Sequence, residues 1–163
     1  MAALTANRIL TAEDDPIVRD DLRLILEDAG FEVCAHARDG VEAVELAREH
    51  RPDLIVMDLG LPGIDGVEAT RRILRERNVQ IVALTGHRSG GLVEGAFEAG
   101  AVAHVLKPFH EKQLVGTVTN ALIDAERRAE AEHRNYLIMI ESMVREGYSE
   151  REITDAVNRR RSR

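Results

Sequence analysis

The chain alternates between short apolar runs and longer segments in which apolar residues recur at helical spacing. Each apolar run has the length of a buried strand. Strands that alternate strictly with helices are typical of βαβ units, whose parallel strands form one sheet covered by helices on both faces. The pattern therefore predicts an α/β fold with a doubly wound, five-stranded parallel sheet. The predicted strands are 8–12, 31–37, 54–57, 80–84 and 101–106.

Local signals mark where the helices between these strands begin and end. Pro16 suits the first turn of a helix, with Asp15 before it as the N-cap and Gly30 at its end. Asp39 is the predicted N-cap of the second helix. Further helices are predicted over 67–75, from after Gly90-Gly91 to Ala99, and from near Glu111 onward.

Composition narrows the class of protein. Hydrophobic residues make up 44% of the chain and aromatic residues only 3%, so the core must be aliphatic, as in a parallel sheet buried on both faces. Cys34 is the single cysteine, which excludes an internal disulfide and favours a cytoplasmic protein. No apolar run is long enough to predict a signal peptide or a membrane span.

The charge is unevenly distributed. The net charge is −7, all of it within residues 1–122, whereas residues 123–163 carry equal numbers of acidic and basic residues. An acidic main domain argues against nucleic-acid binding by that part of the chain. The last five residues, RRRSR, are basic enough to contact RNA or DNA, although such ends are more often simply solvated.

Reactive side chains follow four of the five predicted strands. Glu13 and Asp14 follow the first strand, Asp58 the third, Thr85 the fourth and Lys107 the fifth. Ligands of open parallel sheets bind at the carboxyl ends of the strands. We therefore expect these side chains to form one site at that edge.

The residue types at this edge predict phosphoryl chemistry. Crowded carboxylates resist ionisation unless a cation lies between them. The few protein oxygens do not suffice for a calcium cage but suit Mg²⁺, which keeps several waters. Asp58 is the predicted nucleophile, Lys107 supplies an ammonium group that offsets the charge on the transferred oxygens, and Thr85 supplies a hydroxyl donor.

Four sequence motifs resemble the receiver domain of bacterial two-component response regulators, over about residues 7–122. They are EDD at 13–15, LIVMDLGLPGIDG at 54–66, ALTG at 83–86 and HVLKPF at 104–109. The resemblance implies a flavodoxin-like sheet in the order 2-1-3-4-5. It also implies that a sensor histidine kinase phosphorylates the protein, which would catalyse no reaction beyond its own phosphorylation and dephosphorylation. A metal-dependent phosphatase is the weaker alternative, because Gly60 stands where such enzymes need a second Asp.

The same resemblance assigns roles to individual residues. Glu13 and Asp14 would bind Mg²⁺ together with Asp58 and the main-chain carbonyl of Gly60. Asp58 would be the phosphorylated residue. Lys107 would form a salt bridge with the phosphoryl group, and Thr85 would supply the switch hydroxyl.

One histidine near the predicted site departs from the family pattern, and a second lies close in sequence to the switch threonine. His104 occupies the fifth-strand position where this family usually has Tyr or Phe, the ring that turns inward when the threonine moves. We expect either an imidazole switch that is sensitive to protonation near neutral pH or a surface histidine with no such role. His87, two residues after Thr85, is a candidate for controlling water access to the acyl phosphate.

The C-terminal part, residues 123–163, is predicted to be a helical extension of the 1–122 receiver domain. Residues 111–145 are predicted to form one helix with a heptad seam that favours homodimerisation; the alternative is a helix that folds back on its own receiver. Gly147 ends this helix, and Ser149 with Glu152 forms a capping box for a last one. The seam consists of Val118, Leu122, Ala125, Ala129, Glu132, Tyr136, Met139 and Met143.

The sequence does not decide between several functions that the switch could control. The segment MVREGYSEREITDA at 143–156 resembles the turn between two helices of ANTAR domains, which are RNA-binding antiterminator modules. The usual Ala-Lys-Gly stretch is missing, and the segment is short for the complete three-helix module. The alternatives are a protein-interaction or phosphorelay regulator without nucleic-acid contact, and a helix-turn-helix fragment that binds DNA.

Overall fold

The computed structural model describes residues 6–86 and 90–161. His87 and the last two residues of the basic end lie outside these ranges. The strands are β1 (Arg8–Ala12), β2 (Glu32–Ala37), β3 (Leu54–Asp58), β4 (Gln80–Thr85) and β5 (Ala103–Leu106). The helices are α1 (Pro16–Asp28), α2 (Gly40–His50), α3 (Gly66–Glu76), α4 (Gly90–Ala99), α5 (Glu111–Arg145) and α6 (Glu150–Arg161).

The five strands form one sheet in the order β2-β1-β3-β4-β5, and every neighbouring pair is parallel. This confirms the predicted fold class. Strands β3 and β4 are buried along their whole length, as their continuous apolar sequences require, whereas β2 lies at an edge and is partly exposed.

Two hydrophobic clusters cover the two faces of the sheet. Along β3 the side chains alternate, so that Ile55 and Met57 join the cluster beneath α2, α3 and α4, while Leu54 and Val56 join the cluster beneath α1 and α5. The covering helices hold the strands in register, and the carboxyl ends of β1, β3, β4 and β5 therefore meet at one edge.

Aspartate caps begin the helices on this edge. Asp15 Oδ1 accepts hydrogen bonds from the backbone N–H groups of Ile17 and Val18 at 2.8 and 3.3 Å, which confirms its predicted capping role. Asp39 caps α2 in the same way by accepting from Glu42 N–H at 2.8 Å. Each cap fixes the direction in which the chain leaves the sheet.

The chain divides into two compact units, Met1–Ile123 and Asp124–Arg163. In the first unit, Val118 is fully buried in the core beneath α1 and α5, and Leu122 packs against that core. Val118, the first position of the predicted heptad seam, is therefore covered by the sheet and α1. A partner cannot reach it without unpacking the domain, so the predicted seam is wrong at Val118, and Leu122 is partly buried in the same core.

The second unit contains the end of α5 and all of α6. Gly147 adopts a positive φ of 85° two residues after the end of α5. Ser149 N–H donates to Glu152 Oε2 at 2.9 Å and Glu152 N–H donates to Ser149 Oγ at 3.4 Å, which confirms the predicted capping box. Among the described residues, no helix combines the length and the hydropathy that a membrane span requires.

Candidate phosphoryl-transfer site

The reactive residues predicted from the sequence meet at the carboxyl edge of the sheet. Glu13 and Asp14 directly follow β1, and Asp58 is the last residue of the adjacent strand β3. Thr85 ends β4 and Lys107 follows β5. The order of the strands alone thus brings five side chains that are distant in sequence to one edge.

Three carboxylates form the acidic centre of this site. Glu13, Asp14 and Asp58 each offer an oxygen, and these oxygens all lie within 4.8 Å of one another. Glu13 is fully buried and Asp58 is 4% exposed, whereas Asp14 faces solvent. The set suits a hard cation that keeps part of its water shell, because three carboxylates leave several coordination positions to solvent or to a phosphoryl oxygen.

Lys107 is the cationic partner of two of these acids. Its Nζ lies 3.0 Å from Glu13 Oε2 and 3.3 Å from Asp58 Oδ2. Partial burial alone would lower the pKa of Lys107, but the hydrogen bond to Glu13 and the charge of Asp58 outweigh it, and the pKa is raised. Lys107 therefore stays protonated at neutral pH and holds a fixed positive charge beside Asp58.

Glu13 has an unusual environment for an acid. Burial, followed by the nearby charge of Asp58, raises the pKa of Glu13 from 4.5 to about 6, although a hydrogen bond from Asp15 N–H and the Lys107 ammonium oppose the shift. The Asp15 N–H donates to Glu13 Oε1 at 3.0 Å. A divalent cation at the acidic centre would favour the ionised form of Glu13.

The two oxygens of Asp58 have different partners. Asp58 Oδ1 accepts a hydrogen bond from the backbone N–H of Gly60 at 3.0 Å, while Oδ2 faces Lys107. The backbone N–H of Leu59 donates to Leu84 O at 3.0 Å, which fixes the start of the loop that follows β3. The carboxylate is thus oriented before any ligand binds.

Sequence reasoning missed two glycines that brace this loop. A Cβ at Gly66 would lie 2.2 Å from Asp58 O, and a Cβ at Gly40 would lie 2.1 Å from Ile64 O. Gly40 N–H also donates to Pro62 O at 3.4 Å, so that the start of α2 touches the loop. The repeated Asp-Gly pairs at 39–40 and 65–66 were the available signal, since each places a glycine directly after a helix cap.

The proposed switch residues occupy different environments. Thr85 is 1% exposed, and its Oγ1 donates to Gly86 O at 3.2 Å rather than to Asp58. His104 faces solvent, with its ring edge-on to Phe97 at a centroid distance of 5.7 Å. This arrangement places the imidazole at the surface, apart from the acidic centre.

The chain belongs to the response regulator receiver domain family, which it matches over residues 9–119. Transcriptional regulatory protein PdtaR of Mycobacterium tuberculosis is 42% identical over 120 residues, covering 74% of this chain and 58% of PdtaR. Chemotaxis protein CheY of Bacillus subtilis is 34% identical over 118 residues, covering 72% of this chain and 98% of CheY. The chain thus spans less than two thirds of PdtaR, and it likewise covers 48% of the DNA-binding response regulator MtrA of Mycolicibacterium smegmatis.

Solved structures of receiver domains are similar in fold. A two-component response regulator of the LuxR family from Aurantimonas superposes with a TM-score of 0.69 at 39% identity, covering 74% of this chain and 87% of that one. A CheY-like response regulator receiver domain protein from Methanospirillum hungatei gives a TM-score of 0.72 at 26% identity, covering 76% and 99% of the two chains. In both comparisons the coverage is close to the length of the sheet-containing unit.

Proposed function

We propose that this protein is a two-component response regulator that accepts a phosphoryl group on Asp58 from a sensor histidine kinase. The observation that supports the proposal best is that Asp58 belongs to the acidic centre and that its Oδ2 also lies 3.3 Å from Lys107 Nζ. The attacking carboxylate and the phosphoryl oxygens are both negatively charged, so cations must offset their mutual repulsion during the transfer. Beside Asp58, Lys107 supplies a fixed ammonium and the three carboxylates supply a candidate cation site.

The proposed transfer is a single displacement at phosphorus. A carboxylate oxygen of Asp58 forms the new P–O bond while the P–N bond of the phosphohistidine breaks, and its electron pair leaves with the imidazole nitrogen. The product is a mixed anhydride of Asp58 and phosphate. Mg²⁺, when bound, would neutralise charge on the phosphoryl oxygens and the carboxylates.

The other residues have proposed roles around this step. Glu13 and Asp14, with the main-chain carbonyl of Gly60, would hold Mg²⁺ together with Asp58. Lys107 would form a salt bridge with the transferred phosphoryl group. The Thr85 hydroxyl would leave Gly86 O and donate to a phosphoryl oxygen, and His104 would then move as the switch ring.

A phosphorylation assay with acetyl phosphate and Mg²⁺ tests this function without the kinase. Intact-mass analysis should show one phosphoryl group on the wild-type chain and none on Asp58→Asn. Asp28→Asn is a matched control, because Asp28 is an exposed carboxylate at the end of α1. Undiminished phosphate on Asp58→Asn, or none on any variant, would contradict the assignment.

For the output we propose RNA binding through the C-terminal extension, residues 123–163. Similarity to a transcriptional regulatory protein and the run of arginines at the end of α6 favour this output. Crosslinking in cells and recovery of RNA tests it, with Asp58→Asn and a chain ending near Ala121 as comparisons. RNA recovered only with the intact, phosphorylatable chain supports the output.

The second candidate output is protein interaction or phosphorelay without nucleic-acid contact. The observation in its favour is the balance of acidic and basic residues in the extension, which leaves no net attraction for a polyanion. The absence of RNA above background in all three crosslinking samples would favour this candidate. A cytoplasmic location, a homodimer formed through the C-terminal helix and the absence of other catalysis belong to the same proposal.

A further inference from the structure

The second unit, Asp124–Arg163, leaves large apolar side chains in solvent. Among residues 124–160, whose side chains the structure describes, none is buried. Four large apolar residues are instead strongly exposed: Leu137 at 46%, Ile138 at 57%, Val144 at 61% and Tyr148 at 46%. A segment of about 40 residues with no buried side chain cannot supply the core that a stable domain needs, and such segments usually gain it from a partner.

The unit already has one apolar stripe that is partly covered. Along α5 its members recur at the i, i+3, i+4 and i+7 positions of one helix face, and α6 carries a shorter stripe with the same spacing. Both stripes are half-buried. They consist of Tyr136, Met139, Ile140 and Met143 on α5, and of Ile153, Ala156 and Val157 on α6.

Leu137 and Val144 form a second, exposed stripe beside the first, here called the 137/144 stripe. They are seven residues apart and therefore lie above one another on α5. The rotation per residue of an α-helix places Leu137 and Val144 next to the half-buried stripe of α5. The exposed and half-buried stripes together form an apolar face that is wider than α6 alone covers. Tyr148 follows in the turn between α5 and α6.

The charges beside the 137/144 stripe favour a second copy of the same unit as its partner. Residues 123–163 carry equal numbers of acidic and basic residues, so two copies do not repel each other. Arg134 precedes the stripe and Glu141 lies between its two members. In a two-fold interface residue i meets residue j and j meets i, so the arginine of each copy can meet the glutamate of the other.

We propose that the second unit is a homodimerisation element in which the 137/144 stripes of two copies pack together, and that their α5–α6 pairs form a four-helix arrangement. This deepens the homodimer named among the proposed partners. It replaces the heptad seam through Val118 and Leu122, which the sheet-containing unit already covers. It does not depend on phosphorylation of Asp58, so the two proposals fail independently.

Sedimentation velocity of the full-length chain, over a wide concentration range, tests the proposal. The double variant Leu137→Glu/Val144→Glu should raise the dimer dissociation constant by about 100-fold or more, because it would bury four unpaired carboxylates per dimer. Both positions are exposed within one chain, so the helical circular dichroism of the monomer should not change. Leu24→Glu is the matched control, since Leu24 on α1 is 50% exposed and should leave the dimer intact.

A crosslinking measurement locates the interface independently of the effect of added charge. In a Cys34→Ala background, Leu137→Cys should crosslink rapidly between two chains with a short bis-maleimide, and the exposed Arg127→Cys much more slowly. A wild-type chain that stays monomeric at all concentrations would overturn the proposal, as would a dimer that survives in the double variant. A monomeric chain that binds RNA only when Leu137 and Val144 are intact would also overturn it and assign the stripe to RNA.

Discussion

Lys107 and Glu13 are joined by a salt bridge of 3.0 Å between Nζ and Oε2, although 94 residues separate them in the chain. The Glu13 side chain is 1% exposed and that of Lys107 is 26% exposed. The same ammonium lies 3.3 Å from Asp58 Oδ2. One cation therefore balances two buried carboxylates, and in the proposed function it would be available to a phosphoryl group on Asp58.

Removing this ammonium should destabilise the protein in a way that Mg²⁺ reverses. Lys107→Met leaves Glu13 and Asp58 without their cationic partner, and we expect a loss of roughly 1–3 kcal/mol in the free energy of unfolding without metal. Urea unfolding with and without Mg²⁺ measures the effect. Lys112→Met is the control, because Lys112 is exposed at the start of α5. An equal loss with and without Mg²⁺ would contradict the prediction.

The raised pKa of Glu13 predicts that Mg²⁺ binding depends on pH near 6. Burial, more than the charge of Asp58, raises the pKa of Glu13 from 4.5 to about 6, so a cation must displace a proton below that pH. We expect Mg²⁺ affinity to be constant above pH 7 and to fall toward tenfold per pH unit below 6. Titration calorimetry across this range checks it, and Glu13→Gln should abolish this dependence while weakening binding.

The raised pKa of Glu13 also predicts the direction in which the free energy of unfolding changes with pH when no metal is bound. Because its pKa is higher in the folded state than in the unfolded state, the folded state binds more protons between pH 4.5 and 6. The contribution of Glu13 to stability therefore decreases as pH rises through this window, by about 2 kcal/mol in total. The difference in unfolding free energy between wild type and Glu13→Gln, followed from pH 4.5 to 7, should change by that amount. A difference that stays constant with pH would refute it.

His36, on the edge strand β2, contributes a pH dependence of stability that is opposite in sign to that of Glu13. Burial, followed by the charges of Arg19 and Arg23, lowers the pKa of His36 below 6.5, and its Nδ1 lies 2.7 Å from Thr11 Oγ1. A histidine held neutral in the folded state contributes fully above the unfolded pKa of about 6.5 and loses that contribution as pH falls. NMR titration should give a midpoint for His36 below 6.5. A midpoint above 6.5 would contradict the assigned environment.

The close approach of Gly66 to Asp58 predicts an effect on the site beyond simple destabilisation. A Cβ there would lie 2.2 Å from Asp58 O, so Gly66→Ala must displace the backbone of Asp58, the proposed phosphoryl acceptor. We expect a loss of about 2–3 kcal/mol in stability, and at least tenfold weaker Mg²⁺ binding in protein that is still folded. Gly116→Ala is the control, because a Cβ at Gly116 meets nothing within 4 Å and should stabilise α5 by about 0.5–1 kcal/mol. Unchanged Mg²⁺ affinity in folded Gly66→Ala would show that the glycine serves packing alone.

The sheet and its reactive edge were predictable because a reactive polar residue comes directly after the apolar run of four of the five strands. Asp58 after 54–57 and Lys107 after 101–106 are examples, and parallel strand order then brings such residues together. The Asp-Gly pair at 39–40 marks Gly40 as the residue after a helix cap, but its contact with Ile64 was not predictable, since Ile64 approaches from another part of the chain. The dimer seam failed at Val118 for a related reason: spacing reveals an apolar face but does not reveal which surface covers it.

Mapping the acyl phosphate to one residue tests the central claim most directly. The full-length chain would be treated with acetyl phosphate in the presence of Mg²⁺ or of a chelator, then with borohydride, which reduces an aspartyl phosphate to homoserine, and analysed by tandem mass spectrometry. We predict homoserine at position 58 alone, only in the Mg²⁺ sample. Homoserine at another aspartate, or equal yield at Asp58 with the chelator, would contradict the proposed phosphoryl-transfer site.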